Sequence, residues 1–173
     1  MSPEAVLFAA AFDRLGHQVL SLLDAVPESA LYWPPPLPQS DSLFARALSL
    51  VEESEYWVLM VVGSQSQMGD YMSDSYPVQN LADLKIRYNR WLRAIHRVLD
   101  ELPSGALDQF IALRVADGPM AGHEPTTIRD CLLQVLCSSV WQAGRIEFLC
   151  QLFADGERVL HEVVEQHEGA LWE

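Results

Sequence analysis

The stretch TTIRDCLLQVLCSSVWQAGRIEFLCQLF, residues 126–153, decides the fold. Its apolar residues recur at helical spacing round most of the circumference, so the sequence predicts one long helix at the centre of the molecule rather than on its surface. Within it Cys131, Gln134, Ser138, Gln142 and Arg145 fall in one arc of about 80° at 3.6 residues per turn. A line of polar side chains on a helix expected to be buried is the first place to look for function.

Working outward, Thr127 followed by Asp130 resembles a capping pair that starts this helix. Upstream, Ser2-Pro3-Glu4 gives a capping hydroxyl with proline at the first helical position, and Val6, Leu7, Ala10, Leu15, Val19, Leu22 and Leu23 carry an apolar stripe to about Val26. Pro27 stops this first helix, and Trp33-Pro34-Pro35-Pro36-Leu37-Pro38 is an extended connection, because consecutive prolines exclude a helix interior. Such a strip either docks on an SH3-like partner or packs Trp33 against its own helices.

Asp41-Ser42 caps a second helix through Leu43, Ala47, Leu50, Val51, Trp57, Val58 and Val61, ending at Gly63. Arg46, Ser49, Glu53, Tyr56 and Met60 share one face of it. Residues 64–79 read as an irregular loop anchored by Met68, Tyr71, Met72 and Tyr76. Asn80 with Asp83 opens a third helix, LADLKIRYNRWLRAIHRVLDEL, which Pro103 ends. Residues 104–125 carry the apolar run of Phe110, Ile111 and Leu113 before Gly118, Pro119, Gly122 and Pro125, consistent with a brief extended piece or short hairpin. Beyond Gly156, residues 157–166 read as a short acidic C-terminal helix or a frayed tail. The predicted architecture is a single all-α domain over residues 1–173, a helix bundle with a long irregular connection between its second and third helices.

Eleven Lys and Arg against 24 Asp and Glu give a formal net charge of −13. Polyanions meet repulsion, which disfavours nucleic acid and anionic membrane as partners and suits an acidic, soluble protein. The first residues lack the basic start of a signal peptide, and no uninterrupted apolar run approaches the roughly 20 residues that span a bilayer, so the expected location is the cytoplasm. Cys131, Cys137 and Cys150 lie on one predicted helix without a CxxC pair, which points to neither a disulfide framework nor a zinc finger.

The order of these features is similar to the DinB/YfiT-like family of four-helix bundles. The matching pieces are Trp33-Pro34, Ser42-Leu43, SLVEESEYW over residues 49–57, Thr127-Ile128-Arg129-Asp130 and Gln142-Ala143-Gly144-Arg145, and together they cover nearly the whole chain. The resemblance implies a divalent metal held by three histidines, one on the second helix and an HxxxH pair on the last. Those positions are Ser49, Ser138 and Gln142 here, with Gln134 where a further histidine often stands. Hydroxyl and carboxamide oxygens are weak ligands for zinc or nickel, so no metal cofactor is expected. Some metal-bearing relatives transfer low-molecular-weight thiols, an activity that the resemblance no longer implies once the ligands are gone. The resemblance also implies a homodimer, to which apolar surface on helices 1 and 3, including Tyr88 and Trp91, would contribute.

The functional expectation is a metal-free pocket lined by Ser49, Glu53, Tyr56, Ser138, Gln142 and Arg145, serving a small-molecule-binding or interaction protein. The competing expectation is a closed cluster in which Glu53 pairs with Arg145 and Gln142 bonds the serines. No catalytic residue is assigned, because neither serine has a predictable histidine beside it and no nucleophile elbow is present. A divergent metal-dependent thiol transferase or hydrolase is the alternative, with ligands relocated to a set such as Cys131, Glu53 and His123.

Overall fold

The computed structural model describes residues 2–35, 40–63, 77–111 and 127–169, with side chains described as far as residue 157. The described residues form helices and turns without a strand. Helix α1 spans Pro3–Ala25, the short α2 Glu28–Leu31, α3 Leu43–Ser54, α4 Leu81–Glu101 and α5 Ile128–Gly169. The fold is all-α.

The helix starts follow from side-chain caps. Ser2 accepts from the Ala5 amide at 3.1 Å, Ser42 from Ala45 at 3.2 Å, Asn80 from Asp83 at 3.0 Å and Thr127 from Asp130 at 3.1 Å, each satisfying one amide that the first turn leaves unpaired. Helix α1 turns Phe8, Phe12, Leu15, Val19 and Leu23 into the core, and α4 adds Leu84, Tyr88, Trp91, Ile95 and Leu99. Neighbouring pairs are α1 with α4, α1 with α5, α3 with α5 and α3 with α4, so the four long helices surround one apolar centre. Where α1 crosses α4, a Cβ on Gly16 would lie 3.1 Å from Leu92 and from Trp91. Any side chain there would force Leu92 and Trp91 to give way by a few tenths of an ångström, so the glycine lets these α4 side chains pack directly on the α1 backbone.

Trp91 is the hub. Its ring meets Phe12 edge-on at 6.1 Å and Tyr88 at 5.5 Å, and its Nε1 donates to Ser54 Oγ at 3.2 Å, while Tyr88 Oη donates to the Ala47 carbonyl at 2.9 Å. Both polar tips are therefore satisfied inside the core. This corrects the expected surface role of Tyr88 and Trp91: they fill the core and offer no face for pairing.

The second predicted helix ends at Gly63 as expected, but its later part, Glu55–Val62, is π-helical. That run buries Trp57, Val58, Val61 and Val62 and carries Glu55, which receives Arg87 Nη2 from α4 at 2.6 Å. The expected irregular loop lies mostly in residues 64–76, outside the described residues. Of residues 104–125, Gly105 turns the chain at φ 79° into a 3₁₀ turn at Ala106–Asp108, and Gln109 accepts from the Ile128 amide at 3.0 Å. The rest of the expected extended piece, from Leu113 to Pro125, lies outside the described residues. Trp33 meets Phe153 edge-on at 5.5 Å, so it packs on its own fold.

Two expectations for the last long helix are overturned. Helix α5 runs without interruption through Gly156 to Gly169, so the expected separate C-terminal helix is a continuation of α5 among the described residues. An interior glycine costs only about 1 kcal/mol relative to alanine, which the surrounding turns outweigh in the absence of a proline. Nor is α5 central. Ile128, Cys131, Leu132, Val135, Ala143, Ile146 and Leu149 are buried, whereas Leu133, Val140, Trp141 and Phe148 are exposed. With α1 and α3 on one side, the helix is a wall of the fold and its outer apolar side has no neighbour among the described residues.

By length and composition α1 could cross a membrane, with a mean hydropathy of 1.2 over its most apolar window. In the fold its Phe8, Phe12 and Val19 side chains are core contacts.

Candidate functional site

The contact of α3 with α5 holds a chain of polar side chains. Burying Leu43, Ala47, Leu50 and Val51 rotates α3 so that Arg46 and Glu53 meet α5. Packing Val135, Ser139, Ala143 and Ile146 inward rotates α5 so that Ser138 and Gln142, one turn apart, meet them. Ser138 Oγ donates to Glu53 Oε1 at 2.9 Å and Gln142 Nε2 donates to Glu53 Oε2 at 3.3 Å. From the other end, Arg46 Nη1 donates to Gln142 Oε1 at 3.3 Å and Arg46 Nη2 to Asp41 Oδ2 at 3.3 Å. The carboxamide of Gln142 is thereby ordered, its oxygen toward the guanidinium and its nitrogen toward the carboxylate.

Arg46 is the most unusual member. It is 5% exposed, and its Nε has no hydrogen-bond partner among the described residues. Leaving a buried donor unpaired costs roughly 1–3 kcal/mol. Burial, and then the positive charge of Arg145, hold the Arg46 guanidinium below its usual range, with Asp41 opposing them. Arg145 itself lies over the Trp141 ring at 4.6 Å, a cation–π contact at the outer edge of the seam.

Of the six residues predicted for the pocket, the fold joins Glu53, Ser138 and Gln142. Ser49 and Tyr56 are exposed on α3 and its π-helical continuation, Tyr56 against Trp57 at 5.1 Å. Neither joins the hydrogen-bonded chain. Arg145 borders the seam through Trp141 and its field on Arg46, and the expected Glu53–Arg145 pair is replaced by Glu53 with Ser138 and Gln142. Sequence reasoning left Arg46 out of the pocket. The sequence puts it on the same helix face as Glu53, two turns away, and only the packing of α3 on α5 shows that it reaches Gln142.

These residues do not fit a divalent metal. Gln142 Oε1, the oxygen a metal would use at that position, already accepts from a fixed cation, and Arg46 beside it repels a second one. Cys131, part of the relocated set considered above, is buried, and burial pushes its thiol from 9.0 up to about 11, which keeps it protonated near neutrality and a poor ligand. His123 lies outside the described residues. Among the described residues no three His, Cys, Asp or Glu side chains gather.

The Ser138–Glu53 contact sets a hydroxyl against a carboxylate without an imidazole between them. No protein-family model matches the chain, and no curated protein does.

Proposed function

We propose that this chain is a DinB/YfiT-like four-helix protein that has exchanged a metal centre for a polar seam, and that it binds a small polar molecule there without catalysing its conversion. The observation that carries the reading is Arg46: a buried guanidinium, tied to Gln142 and Asp41, with Nε unpaired at the head of a chain ending on Glu53 and Ser138. The resemblance sets its metal ligands at Ser49, Ser138 and Gln142, and two of those three positions belong to this seam. A guanidinium beside a carboxamide favours a ligand with an acceptor such as a carboxylate or amide oxygen, and the Glu53 carboxylate favours a donor on the same molecule. The charge of −13 disfavours a nucleic-acid partner.

The test is a thermal-shift series on untagged protein with small amino acids, amides and monocarboxylates, alongside elemental analysis. A binder present at 100 times its Kd stabilises by about 2.7 kcal/mol, a shift of several degrees that Glu53→Gln and Arg46→Met should each abolish. Stoichiometric zinc, nickel or iron lost on Glu53→Ala would instead establish the relocated metal enzyme.

A further inference from the structure

The outer face of α4 carries a row of unpaired cations in an acidic protein. Burial of Leu84, Tyr88, Trp91, Ile95 and Leu99 turns the opposite side of this helix to solvent, and Ala82, Ile86, Arg90, Arg93 and Arg97 stand there, all exposed. At 100° per residue these five positions occupy an arc of about 80°, with the three arginines spanning roughly 10 Å along the axis. We propose that this stripe docks an acidic helical segment of a partner protein, with carboxylates on the three guanidiniums and an apolar residue on Ile86.

Three observations lead there. The first is that these cations lack what the others have. Arg46, Lys85, Arg87 and Arg129 each meet a carboxylate and Arg145 lies over Trp141, whereas Arg90, Arg93 and Arg97 have neither an ion pair nor a ring contact among the described residues. The chain holds 24 acidic residues against 11 basic ones. With carboxylates in such excess, three neighbouring exposed cations without an anion make a local positive field that the rest of the surface opposes.

The second is what the row costs. Arg90 and Arg93 are three positions apart and Arg93 and Arg97 four, so both pairs of like charges face each other on the helix surface and weaken the helix. A glutamate at position 93 would instead pair with both neighbours. The described fold draws no hydrogen bond from the three arginines, and a repulsion that brings no internal contact points outward, to an anion that relieves it.

The third is shape, which selects the partner. Asp83 stands at the start of the stripe and Asp100 and Glu101 just beyond its end, while Lys85 and Arg87 on its flanks are already neutralised by Asp24 and by Glu52 and Glu55. A nucleic acid or an anionic membrane extends its charge well past about 10 Å, and would meet those carboxylates within the screening length of about 8 Å. A helix carries three carboxylates at i, i+4 and i+7 over the same roughly 10 Å, rising 1.5 Å per residue as α4 does. Each guanidinium then offers one carboxylate two parallel N–H donors. Ile86, 53% exposed one turn before Arg90, supplies an apolar contact at one end and so fixes the direction of the segment.

Fluorescence anisotropy with the full chain decides the matter. The probe is a labelled alanine-based helical peptide of about 20 residues with glutamates at i, i+4 and i+7 and a leucine one turn away, beside the same peptide with glutamines. The expected result is a Kd below about 500 μM in about 50 mM salt, at least about fivefold weaker in about 500 mM salt, with no measurable binding of the glutamine peptide. Arg93→Glu should weaken binding at least about tenfold while raising Tm by about 1–3 °C, because it turns two like-charge pairs into two opposite ones. Arg14→Glu, the same change of charge at an exposed arginine of α1, should leave the affinity within about twofold. Weaker binding than that limit, equal binding of the glutamine peptide, or an equal loss with Arg14→Glu would overturn the proposal. A fall in Tm with Arg93→Glu would make the row a structural feature and overturn it too. A single-stranded oligonucleotide or phosphatidylserine vesicles bound more tightly than the peptide, and released by Arg93→Glu, would assign the stripe to a polyanion and overturn it equally.

Discussion

Arg46 on α3 donates through Nη1 to Oε1 of Gln142 on α5 at 3.3 Å, so a buried cation caps the carboxamide oxygen. The bond spans 96 positions of sequence and orders the carboxamide that in turn holds Glu53. Asp41 takes a second guanidinium nitrogen at 3.3 Å, and Nε has no partner among the described residues.

Arg46 substitutions should separate volume from charge. Arg46→Ala is expected to destabilise by about 2–4 kcal/mol, because it opens a cavity and strips Gln142 and Asp41 of their donor. Arg46→Met keeps most of the volume and removes both the buried charge and the unpaired Nε, so its cost should stay below about 1.5 kcal/mol. Urea denaturation of both variants measures the difference. Equal losses would show that the guanidinium, and not its aliphatic stem, holds α3 against α5.

A metal site should be recoverable only when that cation is removed. Ser49→His, Ser138→His and Gln142→His together, in an Arg46→Met background, are expected to bind one zinc or nickel ion per chain, with at least about tenfold weaker binding when Arg46 is retained. Elemental analysis and calorimetric titration give the stoichiometry and the ratio. A folded fourfold variant without metal would refute the correspondence of these positions with the family's histidines.

Two interior glycines should respond in opposite directions to alanine. Gly16→Ala gains about 1 kcal/mol of helix propensity, but its Cβ would stand 3.1 Å from the fixed ring of Trp91, and overpacking of about 1–3 kcal/mol wins. Gly144→Ala meets no neighbour and should stabilise the chain by about 0.5–1 kcal/mol. Denaturation at sub-micromolar protein, where association contributes nothing, tests both signs.

Stability should fall in mild alkali through Cys131. Burial raises its thiol from 9.0 to about 11, so the unfolded chain gives up this proton first as the pH rises. The contribution is whole below pH 9 and is lost between pH 9 and 11, on the order of 2–3 kcal/mol for a shift of that size. Comparing the wild-type chain with Cys131→Ala isolates it from Tyr88 and Cys150, which burial shifts in the same direction. Identical pH profiles for the two proteins would exclude the linkage.

Local sequence determined the helices and where they begin. Ser2, Ser42, Asn80 and Thr127 cap the expected helices because a capping bond joins residues three apart, a distance that sequence fixes. The facing of Ser138 and Gln142 was also legible, since positions four apart share a helix face.

Three decisions belonged to tertiary structure. Whether Gly156 breaks a helix depends on a balance of about 1 kcal/mol that composition alone does not settle. Whether an apolar circumference means a central helix depends on how many neighbours the other helices supply, and α5 has them on one side, leaving Trp141 and Phe148 outside. Which charge faces Glu53 and Gln142 depends on the rotation of α3 against α5. Burial of Leu43, Ala47 and Leu50 sets that rotation and brings Arg46, rather than Ser49, Tyr56 or Arg145, into the seam. Periodicity reports which residues share a face of one helix; only the packing of two helices decides which residues on those faces meet.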